Sequence, residues 1–287
     1  MATSNHTSNF PSVYKVLRSL GHGGGGMNDG ILIVRNRQTN EVQVEKKLDR
    51  KLMARDERYN EIGILIALDR NGLGHKNITR MLSFLAKPQL SFASVWIEYC
   101  DLGSMSGMIN HYRCRQEWVA PEFAWHILNS LARAVNYCHY GPLDGSRRHN
   151  WNMIIHHDIK PDNVFLQTIP GRSWPRVKLG DFGAAEMLTE QNPLPQGGLA
   201  MTPGFVPPEA REYIGPENDI WAVGAVMHCV LTLKQVPEMC PALACYSTMI
   251  CGVINSCMHP SYRGRIRSSD LPWVVKDAQR QENYGRS

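Results

Sequence analysis

The sequence lacks several features that would mark a specialised class of protein. Its eight cysteines include no Cys-x-x-Cys pair and lie mostly in apolar stretches, which is typical of reduced cysteines that pack as small hydrophobes. No apolar run is long enough to span a membrane. Residues 1–11 are polar and lack the apolar centre of a signal peptide. We therefore expect a reducing location, cytoplasmic and/or nuclear, with no zinc site and no membrane partner.

The sequence also lacks a strong charge of one sign, internal repeats and low-complexity tracts. The net charge of +5 is small and dispersed, so it suits an anionic ligand but does not predict nucleic-acid binding. The chain has 287 residues, of which 43% are hydrophobic and 20% charged. These values favour one large globular domain, or two lobes that share a core, over a string of modules.

The first third of the chain predicts strands with one helix, and the rest predicts mainly helices. The strands are expected at residues 14–20, 31–34, 42–48, 81–84 and 94–99, and the helix at 57–68. The break at residues 101–104 (DLGS) is the candidate lobe boundary. Beyond it, residues 127–138 have helical spacing, and residues 220–231 predict a helix buried on every side. Residues 141–152 are a polar insertion, either a solvated loop or a docking site for a partner.

A glycine cluster at residues 20–26 (LGHGGGG) is the first candidate for chemistry. Glycines let backbone N–H groups approach phosphate oxygens without an intervening side chain. A surface turn is the alternative. A dinucleotide-binding fold would need a helix after the glycines, but a strand follows, and no Lys-Ser/Thr follows as in a Walker A motif. The order strand, glycines, strand predicts a flap that closes over nucleotide phosphates.

Two polar clusters follow in the second half of the chain. Residues 156–166 (HHDIKPDNVFL) place two acids, a lysine and an asparagine in a turn before an apolar strand. Such a set can orient a hydroxyl nucleophile, neutralise a phosphate and ligate a hard cation, although an ordinary polar turn is the alternative. Residues 179–183 (LGDFG) place a carboxylate between glycines just past a strand, which suits a Mg²⁺ ligand.

These two clusters and the PPE sequence at residues 207–209 resemble the catalytic loop, the magnesium loop and the activation-segment end of eukaryotic protein kinases. The resemblance runs from about residue 14 to about residue 273, and residues 160–166 and 177–183 are most similar to NIMA-related serine/threonine kinases. It implies an α+β bilobal fold, with a small antiparallel β-rich N-lobe that has one main helix and a larger, mostly helical C-lobe. The implied domains are a tail at 1–13, a kinase domain at 14–275 (N-lobe 14–100, C-lobe 101–275) and a tail at 276–287.

The resemblance further implies a protein serine/threonine kinase that uses ATP and Mg²⁺ to phosphorylate protein substrates. Asp158 would be the catalytic base, and Lys160 would steady the γ-phosphate. Asn163 and Asp181 would hold the magnesium ions.

The residues that the resemblance assigns to nucleotide binding are Leu20, Gly21, Gly23, Gly26, Val44, Lys46, Glu61, Ile97, Glu98, Cys100 and Phe165. Lys46, not Lys47, would reach the α- and β-phosphates, paired with Glu61 or, one helical turn earlier, with Glu57.

The other members of this set would surround the adenine. Val44 would lie above the ring and Phe165 below it. Ile97 would be the gatekeeper, and Glu98 and Cys100 would present backbone groups.

Other residues would have architectural roles. From the buried helix, Asp219 would anchor a spine of stacked residues, with a helix cap as its alternative role. Glu209 would pair with Arg263, with Arg265 as the alternative. Four residues would stack as a spine that links the lobes: Leu65, Met81, His156 and Phe182.

The chain departs from the kinase pattern in places. Its glycine loop is longer than usual, so the register is either Gly21, Gly23 and Gly26 with an insertion, or Gly24 and Gly26 with Asp29 in the last position. His157 replaces the arginine usually found before the catalytic aspartate. The only hydroxyl side chains of residues 181–209 are Thr189 and Thr202. We therefore expect this activation segment to order itself by packing, or by docking to a regulatory partner, without phosphorylation.

The sequence disfavours two alternatives to a protein kinase. A pseudokinase would bind ATP or partners without catalysis, but Lys46, Asp158, Asn163 and Asp181 are all present. A small-molecule kinase on a related fold is disfavoured by residues 202–209 (TPGFVPPE), which resemble the platform for a peptide substrate.

Overall fold

The computed structural model describes residues 13–21, 28–48, 61–69, 72, 74–87, 92–142, 151–196, 202–210, 212–237 and 246–284. They belong to two compact units. The first takes its residues from Met1–Ala54 and Met81–Tyr99, and the second from Arg55–Arg80 and Cys100–Ser287.

The first unit is a five-stranded antiparallel sheet with the strand order β1-β2-β3-β5-β4. Its strands are β1 (Tyr14–Gly21), β2 (Asn28–Asn36), β3 (Val42–Leu48), β4 (Met81–Lys87) and β5 (Phe92–Glu98). The turn between β2 and β3 contains Asn40 at φ 60°, a conformation that asparagine tolerates. Asn36 Oδ1 accepts the N–H of Gln38 at 2.9 Å. The predicted order of strand, glycines and strand is confirmed, since β1 pairs with β2 across residues 22–27.

The second unit is mostly helical. Its helices are α1 (Glu61–Leu68), α2 (Met105–Arg115), α3 (Pro121–Tyr140), α4 (Pro216–Thr232), α5 (Thr248–Cys257) and α6 (Leu271–Tyr284). Two small antiparallel pairs complete it, β6 (Ile154–Ile155) with β9 (Glu186–Met187) and β7 (Val164–Gln167) with β8 (Arg176–Leu179). None of the helices in the described ranges is long and apolar enough to span a bilayer.

Helices α3 and α4 carry the core of the second unit. The residues of α3 predicted by their helical spacing are all buried: Ile127, Leu128, Leu131, Ala134, Val135 and Cys138. In α4, residues 218–231 are buried without interruption, which confirms the helix predicted to be buried on every side. Gly224 allows α5 to approach closely, because a Cβ there would lie 2.6 Å from Cγ of Met258. Full burial of each large apolar side chain contributes about 1.5–3 kcal/mol.

Residues 74–80, which the sequence places in the small lobe, belong to the second unit. The side-chain amide of Asn77 donates to the carbonyl of Val177 at 2.8 Å, and Thr79 N donates to Leu179 O at 2.9 Å. Before this segment, the hydroxyl of Tyr137 on α3 donates to the carbonyl of Leu68 at 3.0 Å. These bonds attach the end of α1 and the segment after it to α3 and β8. At the other end of the chain, α6 continues through the predicted domain end at residue 275.

Candidate active site

The loop after β6 holds the residues with the strongest predicted chemistry. His157 has φ 64°, a left-handed conformation that costs about 1–3 kcal/mol in a residue other than glycine. The two carboxylate oxygens of Asp219 accept the backbone N–H groups of His156, at 2.8 Å, and His157, at 3.0 Å. Hydrogen bonds to a charged acceptor are strong, so they hold the loop in this conformation.

Asp219 also binds a residue that sequence reasoning missed. Nε2 of His139, on α3, donates to Oδ2 of Asp219 at 3.0 Å, and His139 Nδ1 lies 2.7 Å from the hydroxyl of Ser268. Burial alone would raise the pKa of Asp219, but the hydrogen bond from His139 and the nearby charges of His139, His157 and His156 hold it below its ordinary value. The predicted anchoring of the spine by Asp219 is confirmed at His156, whose N–H binds Asp219. The sequence did not indicate a role for His139, because this residue lies within the apolar pattern of α3.

Asp158, Lys160 and Thr202 form a closed polar network. The hydroxyl of Thr202 donates to Oδ1 of Asp158 at 2.6 Å. Lys160 Nζ lies 2.8 Å from Asp158 Oδ2 and donates to Thr202 Oγ1 at 2.7 Å. The side chains of Asp158 and Lys160 are only 12% and 21% exposed. The carboxylate of Asp158 is thus already placed to accept a hydrogen bond from a short aliphatic hydroxyl.

Asn163 and the turn before Asp181 lie side by side. Gly180 N donates to Asn163 O at 2.9 Å. The Nδ2 of Asn163 donates both to the carbonyl of Asp158, at 2.8 Å, and to its Oδ2, at 3.0 Å, which leaves the amide oxygen as the atom suited to a metal. Asp181 has φ 57°. Amide and carboxylate oxygens are ligands that Mg²⁺ prefers, so these two residues fit the predicted ion.

Part of the predicted spine is present within the second unit. The rings of His156 and Phe182 are 4.7 Å apart, and His156 Nε2 donates to Gly180 O at 3.0 Å. Phe182 is buried, and so is Leu65 on α1. Helix α1 packs against the turn Phe182–Ala184. Met81 is the first residue of β4 in the other unit.

The sheet carries the other predicted nucleotide residues. Val44 on β3 lies opposite Ile97 on β5, and Glu98 ends β5. Lys46 follows Val44 by two residues, so both side chains are on one face of β3. Lys46 is 4% exposed, whereas Lys47 is half-buried. This difference favours Lys46 over Lys47 as the predicted phosphate-binding lysine.

The glycine loop is described only at its start. Leu20 and Gly21 end β1 and are exposed, and Gly21 has φ 80°. Gly23 and Gly26 lie outside the described residues. Gly24, which belongs to the alternative register, also lies outside them.

Three further predicted residues lie in the second unit. Glu61 begins α1 and is 6% exposed, while the fallback Glu57 lies outside the described residues. Cys100 is buried and its carbonyl accepts Gly103 N at 3.1 Å. Phe165 is a half-buried residue of β7.

The predicted pairing of Glu209 with Arg263 is wrong. Glu209 instead forms a bidentate pair with Arg265, at 2.5 and 2.6 Å. The Arg265 side chain is fully buried and its guanidinium lies 4.9 Å from the ring of Trp221. Arg263 is exposed and lies over Tyr262. The two arginines differ because Arg263 lies within the 3₁₀ turn Tyr262–Gly264, which contains no buried residue. Arg265 comes directly after this turn and is buried.

A second missed residue is Glu186, on β9. It is fully buried, and His157 Nε2 donates to its Oε2 at 3.3 Å. Gln196 N donates to Oε1 at 3.1 Å. The sequence signal was an acid in an otherwise apolar stretch after the magnesium loop. Glu186 therefore connects the loop that carries Asp158 to the activation segment.

Comparison with known proteins agrees with this geometry. The protein kinase domain family matches residues 14–258, so the chain belongs to this family. The G2-specific protein kinase nimA of Emericella nidulans is 27% identical over 87% of this chain and 39% of its own length. The serine/threonine-protein kinase Nek2 of Homo sapiens is 27% identical over 75% of this chain and 45% of its own length. The resemblance to NIMA-related kinases is confirmed, and the chain spans less than half the length of these two relatives.

Proposed function

We propose that the protein is a serine/threonine protein kinase that transfers the γ-phosphate of ATP, bound with Mg²⁺, to serine and threonine hydroxyls of protein substrates. The observation that carries this proposal is the network of Asp158, Lys160 and Thr202. In this network, the Asp158 carboxylate accepts a hydrogen bond from the Thr202 hydroxyl at 2.6 Å, and the Lys160 ammonium group lies beside both.

Asp158, Lys160 and the neighbouring Asn163 have different catalytic roles in this proposal. Asp158 accepts the hydrogen bond of the substrate hydroxyl, which must lie within hydrogen-bond reach, and takes its proton. The new P–O bond forms as the bond between the γ-phosphorus and the bridging oxygen breaks, and ADP leaves with that electron pair. Asn163 fixes the orientation of Asp158 through its two bonds to that residue. Lys160 offsets negative charge on the transferred phosphoryl group.

Metal and nucleotide complete the site in this proposal. Asn163 and Asp181 would hold Mg²⁺, which when bound neutralises charge on the phosphate oxygens. Lys46 would contact the phosphates, and Glu61 would position it. The remaining members of the predicted nucleotide set would enclose the adenine and the phosphates.

Two observations support serine and threonine over tyrosine as the acceptor. Lys160 lies two residues after Asp158, where tyrosine kinases typically lack a lysine. Its ammonium group binds Thr202 at 2.7 Å, so the space beside Asp158 is already shaped around a short hydroxyl side chain. A phenol would place its oxygen several ångströms further from its backbone.

We also propose a cytoplasmic and/or nuclear location. In the described part of the chain, six cysteines are free thiols. Burial raises the pKa of Cys229 and of Cys257 to about 12, so these thiols are unreactive core residues. A reducing environment is consistent with this usage.

The direct test is to incubate the purified chain with radiolabelled ATP, Mg²⁺ and a generic protein substrate. We expect label on the substrate that depends on Mg²⁺, and hydrolysis of the product should yield phosphoserine and phosphothreonine. Nucleotide binding without label transfer would identify a pseudokinase instead. Mainly phosphotyrosine in the product would contradict the proposed acceptor.

A further inference from the structure

A basic cleft lies on α3, and it contains none of the residues assigned to catalysis. The cleft has a volume of about 680 Å³ and is enclosed by α3, residues 76–77 and residues 169–176. Helix α3 contributes His126, Asn129, Ser130 and Arg133. Their spacing of three, four and seven residues places them on one face of the helix. We call this feature the α3 cleft.

The charge of the α3 cleft has one sign. Its lining includes Lys76, Arg133, Arg172 and Arg176, and no Asp or Glu belongs to the described lining. Arg133 donates from Nε to Asn129 Oδ1 at 3.2 Å. Across the described ranges, none of these four cations pairs with a carboxylate. Four like charges without an internal counter-ion favour the binding of an external anion.

Burial and the nearby positive charges lower the pKa of two histidines at the cleft. The pKa of His75 is lowered from 6.5 to about 4, first by burial and then by the charges of Lys76, Arg133 and Lys178. The pKa of His126, inside the cleft, is also lowered, again by burial first. Both histidines are therefore neutral near pH 7, and the positive charge of the cleft comes from its lysine and arginines.

The wall formed by residues 169–176 is held at both ends. At its start, Thr168 donates from N and from Oγ1 to the carboxylate of Asp101, at 2.8 and 2.5 Å. Near its end, Trp174 stacks on Phe123 with ring centroids 4.8 Å apart and planes 5° apart. A pre-formed wall lowers the entropy cost of binding a ligand.

The side chains indicate the chemistry of the ligand. Guanidinium groups bind phosphate oxygens in a bidentate manner, and the cleft presents three of them with a lysine. The side-chain N–H groups of Asn129 add a neutral donor that suits a peptide carbonyl, whereas the Ser130 hydroxyl already donates to His126 O at 2.8 Å. A volume of about 680 Å³ lies in the range of sites that enclose a ligand of a few residues.

We propose that the α3 cleft binds an acidic peptide segment that carries phosphoserine or phosphothreonine, with the phosphate held by Arg133, Arg172 and Arg176 and acidic neighbours near Lys76. The choice of a phosphopeptide rests on the proposed function, because a serine/threonine kinase encounters phosphorylated segments as its own products. The cleft would then retain a substrate that already bears one phosphate while a second hydroxyl is presented to Asp158.

The test is fluorescence anisotropy on the full chain without ATP, so that binding is measured independently of kinase activity. The probe is a fluorescein-labelled peptide with one phosphoserine between glutamates, and the control probe is the same peptide without phosphate. We expect tighter binding of the phosphopeptide, weakened by salt because the contacts are ionic. The double substitution Arg172→Gln with Arg176→Gln should raise its Kd at least about tenfold. Arg280→Gln, at an exposed arginine on α6, should leave the Kd unchanged.

A second pair of variants separates recognition from folding. Arg172→Lys with Arg176→Lys keeps the charge but removes the bidentate geometry, so it should lose preference for the phosphopeptide while melting like the wild type. The double Gln variant should still phosphorylate a short unphosphorylated peptide at the wild-type rate. Equal binding of both probes, wild-type binding by the double Gln variant, or binding of inositol hexakisphosphate but not of the phosphopeptide would each overturn the proposal.

Discussion

At the residue scale, the function depends first on the carboxylate of Asp158. Replacing it by the amide in Asp158→Asn removes the proton acceptor and turns one oxygen that accepts bonds from Thr202 or Asn163 into a donor. We expect phosphoryl transfer to fall by about 10²- to 10⁴-fold, the usual contribution of a general base. Nucleotide binding should persist, as measured by the shift in melting temperature with Mg-ATP.

The matched control for this change is Asp162→Asn, at an exposed acid on the same loop. It should retain most of the activity on a generic substrate, because Asp162 has no part in the network of Asp158. Wild-type turnover by Asp158→Asn would contradict the assignment of Asp158.

The buried pair of Arg265 and Glu209 predicts a large difference between two arginines that are two residues apart. Arg265→Ala leaves a largely buried carboxylate without its bidentate partner, and breaking such a pair costs about 3–5 kcal/mol. Arg263→Ala, at an exposed side chain, should change stability by less than about 0.5 kcal/mol. Urea unfolding of both variants measures the difference. Similar losses in the two would show that Arg265 is not the structural partner.

His75 predicts part of the pH dependence of stability. Its pKa in the folded chain is about 4 rather than 6.5, because it is buried and lies near the charges of Lys76, Arg133 and Lys178. The unfolded chain therefore binds the extra proton first as the pH falls, and stability is lost between about pH 6.5 and pH 4. His75→Gln should flatten this part of the stability curve in urea unfolding, and His111→Gln, at an exposed histidine, should not. A wild-type curve for His75→Gln would contradict the assignment.

Residue types at fixed spacing made part of the site predictable. Asp158, Lys160, Asn163 and Asp181 lie within short motifs, where local chain geometry already brings polar groups together. The anchoring by Asp219 extended the same reasoning over a longer separation and is confirmed at His156.

The contacts that the sequence did not predict are pairings between residues of distant elements. His139 and Glu186 each lie in an apolar pattern, and their partners come from other elements. The choice between Arg263 and Arg265 likewise depends on how one short turn packs on α4. Sequence spacing alone does not determine such tertiary contacts.

At the scale of elements, periodicity predicted the strands and the buried helix well, because side-chain direction repeats every two residues in a strand and about every 3.6 in a helix. The position of α1 and residues 74–80 was less predictable. Their attachment to the second unit comes from hydrogen bonds to β8 and α3, and neither leaves a signal in local sequence.

The activation segment gives the prediction that belongs to this scale. Glu186→Ala removes the buried acceptor of His157 Nε2 and of Gln196 N, so His157 would be left with an unsatisfied buried donor, which costs about 1–3 kcal/mol. We expect faster hydrogen exchange of residues 186–196. We also expect a lower kcat with little change in the KM for ATP, because the loop that carries Asp158 loses its contact with the segment.

Glu190→Ala is the control, since this glutamate is an exposed residue of the same segment. Its exchange and kcat should match those of the wild type. Unchanged exchange in Glu186→Ala would show that the segment is held by other contacts.

At the scale of the whole molecule, the contact of His157 with Glu186 bears on how the kinase is switched on. In many relatives, an arginine before the catalytic aspartate pairs with a phosphate on the activation segment, and this pair orders the segment. Here a histidine occupies that position and a buried carboxylate of the same chain accepts its hydrogen bond. The segment thus carries a buried carboxyl group that binds the residue before Asp158 without phosphorylation.

We therefore expect the chain to be active without phosphate on its activation segment. Thr202 is already engaged by Asp158 and Lys160, and Thr189 accepts Asn192 N at 3.2 Å within a local turn, so neither hydroxyl is required as a phosphate carrier. Phosphatase-treated protein, shown by mass spectrometry to be bare at Thr189 and Thr202, should keep its activity, and Thr189→Ala should match it. A large loss of activity that is restored by rephosphorylating either threonine would show that the segment needs a phosphate in addition to Glu186.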